Sequence, residues 1–514
     1  MGRPSSAAPA HADHDELRPP CDRRRDRGGV PENAERDAGE PSRNAALRGI
    51  PVANQFDVII LGGGPAGYVA AIRSAQLGMT TAVVERDKLG GVCVNIGCIP
   101  TKALLHSAYI AKLLREAKEF GVEAGSVKTD YGVAMQRSRR VSDQNSKGVE
   151  FLMKKNKVTV VKGSGVLQPG RKVKVGSDIS EGRKAVIIAT GSRVKGLPQI
   201  GLEINKTTVI SSDEALFLEK APASMAIIGA GAVGMEFADI FSAFGTTVTL
   251  IEALPRILPL EDAEASDALA KSYKKRGIEV IAGAQVKKGT PAKDKVTLEV
   301  ETNGATRKIE AAAVLMAAGR AVNVEDIGLA ECGVQVTERG FIKVDPGLQT
   351  TAPGYYAIGD VAGPPMLAHK GMREGVTVTE LIAGKKPHAI RYDNVPSVTY
   401  CHPEVASIGL TEDQCKERKL EYVAGRFPFT ANGRARGTGE TEGFVKILRD
   451  KKYGEILGAH IVGGHASEII HELAVARENE YTVEEVELAI HAHPTMSEAV
   501  AQAALDSLGR VVDM

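Results

Sequence analysis

The apolar and polar positions of this chain follow one pattern twice. In the first copy, an apolar run at 57–61 leads into a glycine-rich segment at 62–67, and residues 68–72 have helical character. A second apolar run at 81–84 ends on an acid. Short apolar runs with β-branched residues are typical of buried parallel strands. The pattern therefore predicts a strand–turn–helix–strand unit.

The glycines of this unit are spaced G-x-G-x-x-G, with Gly62, Gly64 and Gly67 at the fixed positions. Glycines at these positions let the backbone turn tightly and approach a pyrophosphate at the helix N-terminus. The acid at the tip of the next strand, Glu85, can accept a hydrogen bond from a ribose hydroxyl. The glycine pattern alone often marks an ordinary turn. Here the strand, helix and acid accompany it, which indicates a dinucleotide site.

The second copy has the same layout. Gly229, Gly231 and Gly234 follow an apolar run, and the next apolar run ends on Glu252. In both copies the acid lies 23 positions after the first glycine. The repetition predicts that the chain binds two dinucleotides.

The residues after Glu252 bear on which nicotinamide dinucleotide is bound. No basic residue follows this acid until Arg256. A carboxylate at that place would repel the 2′-phosphate of NADP. We therefore expect the second unit to bind NAD rather than NADP.

Two cysteines lie directly after the first unit, with four residues between Cys93 and Cys98. They can reach disulfide distance if the chain bends, and Gly97 and Pro100 favour a bend. A structural disulfide, a zinc site and a pair of buried free thiols are the alternatives. A zinc site would need closer spacing and two further ligands. The spacing favours a redox-active pair and leaves the other possibilities open.

Composition narrows the class of protein. The chain has 514 residues, 43% apolar and 25% charged, as expected for a globular protein of two to four domains. Lys plus Arg number 65 against 64 for Asp plus Glu, so the net charge of +1 does not indicate a nucleic-acid partner. No apolar stretch approaches the roughly 18 residues of a membrane helix. Six cysteines are too few for a secreted disulfide framework, so we expect a cytoplasmic protein.

The first 54 residues differ from the rest of the chain. They are rich in Arg, Asp, Glu, Pro, Gly and Ala, they show no hydrophobic periodicity, and the first lysine of the chain is Lys88. Such a segment cannot bury enough apolar surface to offset the entropy lost on ordering. We expect residues 1–54 to be a disordered, dispensable tail.

The segment at 90–102, which contains both cysteines, closely resembles the redox-active signature of the class I flavoprotein disulfide reductases. The resemblance extends over 55–514, with the motifs in family order. It implies that the first dinucleotide is FAD and the second is the nicotinamide cofactor. It also implies that Cys98 is the thiol beside the flavin and that Cys93 exchanges with the substrate.

Further segments match this family and imply additional site residues. Lys102 and Glu236 match a pair that lies near the reactive nitrogen of the flavin in relatives. The crossover segments between the dinucleotide domains and a second FAD motif, whose aspartate binds the ribityl chain, supply other cofactor-binding positions. These positions are Thr190, Gly191, Gly319, Arg320 and Asp360.

A histidine and a carboxylate near the C-terminus are the candidate acid–base pair. A dithiol must lose a proton before its sulfur attacks a disulfide, and histidine, with an ordinary pKa of about 6.5, can take that proton. Glu498, five residues after His493, could orient the ring, although a neighbouring His and Glu often form only a structural pair. The family signature H-P-T-x-S-E implies that His493 is the base and Glu498 its partner. His491 is expected to pack or hydrogen-bond locally.

The resemblance implies an α/β fold with two Rossmann-like dinucleotide-binding domains, a central domain and a C-terminal α+β interface domain, as in glutathione reductases. It also implies an obligate homodimer, in which the histidine reaches the disulfide of the other subunit. The expected domains in chain order are 55–196 for FAD, 197–320 for NAD, 321–394 for completing the FAD site, and 395–514 for the interface.

The resemblance implies an oxidoreductase that oxidises a dithiol through the cysteine pair and FAD and transfers a hydride to NAD+. Residues 364–370 resemble family members that act on protein-bound dihydrolipoamide, and the C-terminus has no cysteine pair like that of mercury-reducing members. The expected partners are lipoyl domains of 2-oxoacid dehydrogenase or glycine cleavage complexes. The alternatives are a glutathione- or mercury-reducing enzyme and a flavin-bearing scaffold subunit. No metal site is expected.

Overall fold

A computed structural model describes residues 55–512, and the predicted tail at 1–54 lies outside the described residues. No helix within 55–512 is long and apolar enough to cross a membrane. The described chain consists of two related α/β regions, a connecting region and a C-terminal sheet with helices.

The first region is a sheet flanked by helices. Its elements are β1 (Gln55–Leu61), α1 (Pro65–Gln76), β2 (Thr81–Glu85), α2 (Gly91–Ile96), α3 (Cys98–Glu116), α4 (Tyr131–Lys155), β3 (Thr159–Lys162), β4 (Gly165–Gln168), β5 (Lys172–Val175), β6 (Asp178–Ile188) and β7 (Ser192–Val194).

Four strands of this region lie parallel in the order β3-β2-β1-β6. In β1, Val58, Ile59 and Ile60 are fully buried. Burial on both faces is what a continuous apolar run predicts. β4 and β5 form an antiparallel arm, because β6 is long enough to pair first with β5 and then with β1.

The second region repeats this design. Its elements are β8 (Val209–Ser211), α5 (Ser212–Ala215), β9 (Ser224–Ile228), α6 (Ala232–Ala243), β10 (Thr247–Ile251), α7 (Ala263–Lys275), β11 (Glu279–Ile281), β12 (Ala284–Pro291), β13 (Val296–Thr302), β14 (Ala305–Ala311), β15 (Ala313–Met316) and β16 (Arg320–Val322). Its parallel sheet has the order β11-β10-β9-β15-β8, and β12, β13 and β14 form its antiparallel arm. β16 pairs with β7 where the chain crosses between the regions.

The connecting region contributes β17 (Tyr355–Ala357) and α8 (Ala368–Ile382). β17 returns to the first sheet and pairs in parallel with β6. The first sheet then reads β3-β2-β1-β6-β17, which corresponds strand for strand to β11-β10-β9-β15-β8. α8 packs closely along α1, since an added Cβ at Gly375 would lie 2.7 Å from Ala66 O. The predicted repetition of one nucleotide-binding unit is confirmed.

The C-terminal region is a five-stranded antiparallel sheet with helices packed on it. Its elements are β18 (Ser397–Thr399), β19 (Glu404–Gly409), α9 (Glu412–Glu417), β20 (Tyr422–Pro428), α10 (Gly433–Thr438), β21 (Phe444–Asp450), β22 (Ile456–Gly463), α11 (Ala466–Glu478), α12 (Val483–Leu488) and α13 (Glu498–Ser507). The strand order is β18-β19-β22-β21-β20. The predicted α/β class with a C-terminal α+β domain is confirmed, and the residue boundaries between domains stay a prediction.

Candidate active site

The two cysteines lie on consecutive helices, Cys93 in α2 and Cys98 at the first position of α3. Gly97 joins the helices at a very close approach. An added Cβ at Gly97 would lie 2.9 Å from Val92 O and 3.3 Å from Cys93 Cα. Only glycine therefore fits this junction, and the bend that the sequence predicted there brings the two cysteines together. Both are free thiols in the described structure.

The two thiols differ in acidity. A hydrogen bond with Cys93, together with the positive charge of Lys102, lowers the pKa of Cys98 to about 7, although burial opposes the shift. The same hydrogen bond, together with burial, raises the pKa of Cys93 well above its ordinary value. In the reduced pair, Cys98 is therefore the thiol that ionises first, near neutral pH, whereas Cys93 keeps its proton there.

Lys102, one turn into α3, forms an ion pair with Glu236 of α6. The Lys102 Nζ lies 2.9 Å from both carboxylate oxygens of Glu236, which is buried. Tyr400 joins this pair, since its backbone N donates to Glu236 Oε1 at 3.1 Å and its ring centroid lies 4.4 Å from the Lys102 Nζ. The pair places the positive charge of Lys102 and the negative charge of Glu236 near Cys98, and it connects the first α/β region to the second.

The turn after β1 is closed by contacts that require glycine. Gly62 has a φ of 110°, and an added Cβ at Gly67 would lie 1.9 Å from Gly62 O. At the end of β2, the Glu85 carboxylate accepts hydrogen bonds from Gly63 N at 2.7 Å and from Asp87 N at 2.8 Å. The turn and the acid are therefore held together, as a dinucleotide site requires.

The turn after β9 has the same geometry. Gly229 has a φ of 101°, and an added Cβ at Gly234 would lie 1.9 Å from Gly229 O. Glu252 accepts hydrogen bonds from Ala230 N at 2.7 Å and from Leu254 N at 2.8 Å. The repetition seen in the sequence thus extends to individual hydrogen bonds.

Both turns leave room for a dinucleotide on their open sides. An added Cβ at Gly64 has its nearest neighbour at 4.0 Å, and one at Gly231 has none within 4 Å. These glycines precede α1 and α6, whose N-termini have no side-chain cap. Free N–H groups at a helix N-terminus suit a pyrophosphate. The residues present therefore fit FAD at the first turn and a nicotinamide dinucleotide at the second.

A cavity of about 450 Å³ lies beside the second turn. Gly231, Glu252 and Ala318 are among its lining residues, and no described residue that lines it is basic. Arg256, the first base after Glu252, is paired with Asp413 at 3.0 Å. A site with a carboxylate and no cation suits the unphosphorylated ribose of NAD.

A chain of hydrogen bonds joins the crossover segments to the second FAD motif. Arg320 Nε donates to Ser192 Oγ at 2.7 Å, and Ser192 Oγ in turn donates to a carboxylate oxygen of Asp360 at 2.5 Å. The structure thus brings together Arg320 and Asp360, which the resemblance assigned separately to the cofactor sites. Ser192 is the link that the sequence did not reveal.

The other crossover residues form a second, smaller set of contacts. Thr190 Oγ1 donates to Asn323 O at 2.6 Å, and Asn323 N donates to Gly191 O at 2.9 Å. Lys195 N donates to Gly319 O at 3.2 Å. These bonds fasten the two crossovers to each other beside β7 and β16.

The loop that carries Asp360 is held by a buried ion pair in α8. The Lys370 Nζ donates to the carbonyl groups of Gly359 and Gly363, both at 2.9 Å, and lies 3.2 Å from Glu374. The other carboxylate oxygen of Glu374 accepts from Gly359 N at 2.7 Å. Both charged side chains are almost completely buried. The spacing of four residues between Lys370 and Glu374 indicates, from the sequence alone, that they can pair on one face of a helix. The sequence did not show which loop this pair holds.

His493 and Glu498 are in direct contact. The His493 Nδ1 lies 2.8 Å from Glu498 Oε1, and Thr495 N donates to Glu498 Oε2 at 2.7 Å. Burial opposes ionisation of Glu498, but the Thr495 amide and the hydrogen bond to His493 outweigh it and lower the pKa of the carboxyl. Because Nδ1 faces Glu498, Nε2 is the nitrogen that remains to accept a proton. The His493 side chain is 80% exposed, so it is accessible to groups outside this chain.

His491 has a different environment. Its Nε2 lies 2.7 Å from Glu472 Oε1, its Nδ1 lies 2.8 Å from Ala489 O, and its side chain is only 9% exposed. This is the local hydrogen bonding that was expected.

The described residues thus combine two dinucleotide sites with a cysteine pair, which defines a dinucleotide-dependent thiol oxidoreductase. The family profile described as pyridine nucleotide-disulphide oxidoreductase matches residues 56–375, and the profile of its dimerisation domain matches 395–504. The chain belongs to the pyridine nucleotide-disulphide oxidoreductase family. The predicted oxidoreductase class and the cofactors FAD and NAD are confirmed.

The chain is similar to several dihydrolipoyl dehydrogenases. That of Rhizobium etli is 44% identical over 483 residues, which cover 90% of this chain and 100% of the relative. That of Bacillus subtilis is 44% identical over 475 residues, with 90% and 100% coverage. That of Mycobacterium leprae is 42% identical over 469 residues, with 89% and 99% coverage.

Solved structures show the same architecture. LpdA from Mycobacterium tuberculosis has 27% identity and a TM-score of 0.80, with 88% of this chain and 99% of that chain covered. The HOCl-induced flavoprotein disulfide reductase RclA from Escherichia coli, as its Cu(II) complex, has 27% identity and a TM-score of 0.78 over 88% and 99% of the two chains.

Proposed function

We propose that this protein acts as a dihydrolipoyl dehydrogenase, which oxidises protein-bound dihydrolipoamide to lipoamide with NAD+ as the final acceptor. The observation that carries the proposal is the junction at Gly97, which brings Cys93 and Cys98 together with Lys102 one turn further along α3. The unequal acidity of the two thiols agrees with it. A reduced pair in which one sulfur is a thiolate and the other keeps its proton gives each sulfur a separate task. The dihydrolipoyl dehydrogenases that resemble the chain over nine-tenths of its length support the lipoyl substrate.

We assign the dinucleotide-binding residues as follows. The turn with Gly62, Gly64 and Gly67, the ribose-binding Glu85, the crossover and the Asp360 loop would hold FAD. The turn with Gly229, Gly231 and Gly234, together with Glu252, would hold NAD. When bound, FAD would supply an acceptor for the two electrons of the dithiol and a donor of hydride to NAD+.

The reaction begins with a proton transfer to His493. Its Nε2 takes the proton of one substrate thiol, and the Glu498 carboxylate on Nδ1 holds the ring and stabilises its charged form. The substrate thiolate then attacks the sulfur of Cys93. The Cys93–Cys98 bond breaks, and Cys98 leaves as a thiolate, which its low pKa and the charge of Lys102 favour.

The second substrate sulfur completes the exchange. It loses its proton and attacks the substrate sulfur that is bound to Cys93, so that lipoamide leaves as a cyclic disulfide. Cys93 is released and takes the proton that the second substrate thiol has lost, in keeping with its raised pKa. The two electrons of the dithiol are then on the sulfurs of Cys93 and Cys98. One of its two protons is on Cys93 and the other is on His493.

A homodimer completes the site. The C-terminal region matches a dimerisation domain over 395–504. We propose that His493, exposed on one subunit, serves the cysteine pair of the partner subunit, so that each dimer has two composite sites. We further propose lipoyl domains of 2-oxoacid dehydrogenase or glycine cleavage complexes as partners, a cytoplasmic location, and domain boundaries at 196/197, 320/321 and 394/395.

The proposal is tested by steady-state kinetics of the FAD-loaded protein with dihydrolipoamide and NAD+. Wild type should form NADH, whereas Cys93→Ser and Cys98→Ser should each abolish NADH formation and keep the flavin. Wild-type protein with bound flavin that forms no NADH would contradict the lipoyl assignment. Activity of the wild type with reduced glutathione and NADP+ instead would favour a glutathione-reductase-like function.

A further inference from the structure

Helix α4 donates side-chain hydrogen bonds into the segment between the two cysteines. Arg139 Nη1 donates to Asn95 O at 2.7 Å. One turn along, Ser142 Oγ lies 2.7 Å from Val94 O and 3.3 Å from Asn95 O. Both acceptors are backbone carbonyls at the end of α2, so these bonds depend on where α2 ends and not on the identity of the side chains there.

These carbonyl groups belong to the last turn of α2. α2 is six residues long and ends at Ile96. The carbonyl groups in the last turn of a helix accept no hydrogen bond from the helix itself. Val94 and Asn95 are buried, which keeps water away from them. Arg139 and Ser142 therefore provide, from another helix, the cap that the end of α2 lacks.

A third contact fixes the chain just before α2. Ser146 Oγ, the next turn of α4, donates to Leu89 O at 3.0 Å, and Asn95 Nδ2 donates to the same carbonyl at 3.0 Å. Ser142 and Ser146 are four residues apart and therefore lie on one face of α4. The chain from Leu89 to Asn95 is thus bonded at both ends to a single long helix.

The position of α2 decides the distance between the two sulfurs. Cys93 lies within α2 and Cys98 begins α3, and the helices meet at Gly97, where the backbone is too close for any side chain. A disulfide forms only within a narrow range of Cα distances. Movement at the end of α2 would therefore move Cys93 out of reach of Cys98.

We propose that Arg139 and Ser142 are positioning residues for the cysteine pair, which hold the end of α2 so that the Cys93–Cys98 disulfide is favoured over the dithiol. This inference rests on the proposed function. In the exchange, the protein disulfide and a dihydrolipoyl dithiol give two protein thiols and a lipoyl disulfide, so no further oxidant is needed. If the end of α2 moves more freely, the two thiols are less often within reach of each other, so their effective concentration falls. The equilibrium then shifts towards the protein dithiol.

A neighbouring arginine provides a matched control. Arg139 itself is partly buried, and its guanidinium lies over the Phe217 ring, with 4.7 Å between its central carbon and the ring centroid. Arg140, the next residue, is exposed. Arg139→Met and Arg140→Met remove the same charge and the same group from adjacent positions, and only the first removes a bond to α2.

The test uses the full-length, FAD-loaded protein in anaerobic mixtures of dihydrolipoamide and lipoamide, followed by trapping of free thiols and quantification of the Cys93–Cys98 disulfide. Arg139→Met and Ser142→Ala should each shift the equilibrium about three- to tenfold towards the dithiol. A tenfold shift corresponds to a reduction potential about 30 mV higher. Arg140→Met should match the wild type, and Arg139→Lys, which keeps a donor, should fall between wild type and Arg139→Met.

A second readout shows whether the variants are intact. NADH-driven reduction of ferricyanide does not require the cysteine pair and should keep its wild-type rate in all four variants. Wild-type disulfide equilibria in Arg139→Met and Ser142→Ala, with that rate retained, would overturn the positioning role. A wild-type protein without a reducible Cys93–Cys98 disulfide would instead overturn the proposed function.

Discussion

Lys102 Nζ lies 2.9 Å from both carboxylate oxygens of Glu236, and this ion pair is the charged neighbour of Cys98. The two charges act on the thiol in opposite directions. Lys102 lowers the pKa of Cys98 and Glu236 raises it, and with the hydrogen bond from Cys93 the result is a pKa of about 7. The ion pair therefore adjusts how much of Cys98 is thiolate near neutral pH.

Removing either partner should shift the titration of Cys98 with opposite sign. In Lys102→Met the pKa of Cys98 should rise above about 7, and in Glu236→Gln it should fall below that value. The thiolate is lost as the pH falls through this pKa. The measurement is the pH dependence of the long-wavelength absorption that a thiolate gives beside bound flavin, in the two-electron-reduced protein. Shifts of the same sign in both variants would contradict this account.

Replacement of His493 should remove the proton acceptor and leave the flavin site intact. In His493→Gln, kcat/KM for dihydrolipoamide should fall by about 10²- to 10⁴-fold, the usual contribution of a positioned base. NADH-driven reduction of ferricyanide should keep its rate. His491→Gln is the matched control, because His491 is bonded to Glu472 and Ala489, and its loss should cost far less activity. Equal losses in the two variants would argue against His493 as the base.

Two glycines of the second turn should respond differently to alanine. An added Cβ at Gly231 meets nothing within 4 Å, so Gly231→Ala should fold normally but obstruct the pyrophosphate and raise the KM for NAD+. At Gly234 the Cβ would lie 1.9 Å from Gly229 O, so Gly234→Ala should lower the melting temperature as well. Thermal unfolding and NAD+ titration of both variants separate the two effects. A normal KM in Gly231→Ala would place the pyrophosphate elsewhere.

Loss of the charge on Glu252 should weaken the discrimination against NADP+. In Glu252→Gln, the ratio of kcat/KM for NADP+ to that for NAD+ should rise at least about tenfold, because a carboxylate near the 2′-phosphate opposes binding by several kcal/mol. Glu85→Gln is the control: the corresponding acid of the first turn should affect FAD retention and leave that ratio unchanged. An unchanged ratio in Glu252→Gln would mean that other residues select NAD.

Breaking the buried ion pair in α8 should destabilise the loop that carries Asp360. Lys370→Met leaves the Glu374 carboxylate buried with no cation, which should lower the free energy of unfolding by about 3–5 kcal/mol. FAD should dissociate more readily, because Lys370 also binds the carbonyl groups of Gly359 and Gly363. Arg373→Met, at an exposed position of the same helix, is the control. Urea unfolding and flavin fluorescence measure both effects, and wild-type values in Lys370→Met would refute the role of this pair.

The sequence predicted those features whose cause is local. Gly67 must be glycine because its own turn returns to Gly62 O, and Gly234 repeats that contact with Gly229. Such steric constraints act within five residues, so they leave a fixed spacing in the sequence. The bend between the cysteines is local in the same way, because Gly97 meets the first turn of α2.

The sequence could not predict the contacts that depend on how distant elements pack. Tyr400 reaches the Lys102 and Glu236 pair from the C-terminal region, and its backbone N–H leaves no signature in the sequence. Ser142 was unremarkable among the polar residues of α4, because its acceptors are backbone carbonyls 47 and 48 residues away. The resemblance implied which residues meet the cofactors and the substrate, and the structure adds the groups that contact those residues or the segments that carry them.

In the proposed reaction, the electrons of the dithiol enter the protein through Cys93 and Cys98 and leave as NADH. Anaerobic mixing of the flavin-loaded protein with dihydrolipoamide, with and without NAD+, tests it across the visible spectrum. Without NAD+ we expect a long-wavelength band from the Cys98 thiolate beside the flavin; with NAD+ the band should collapse as NADH appears, and Cys93→Ser should show neither change with this substrate. Flavin-loaded wild type that gives no band and no NADH would contradict the account.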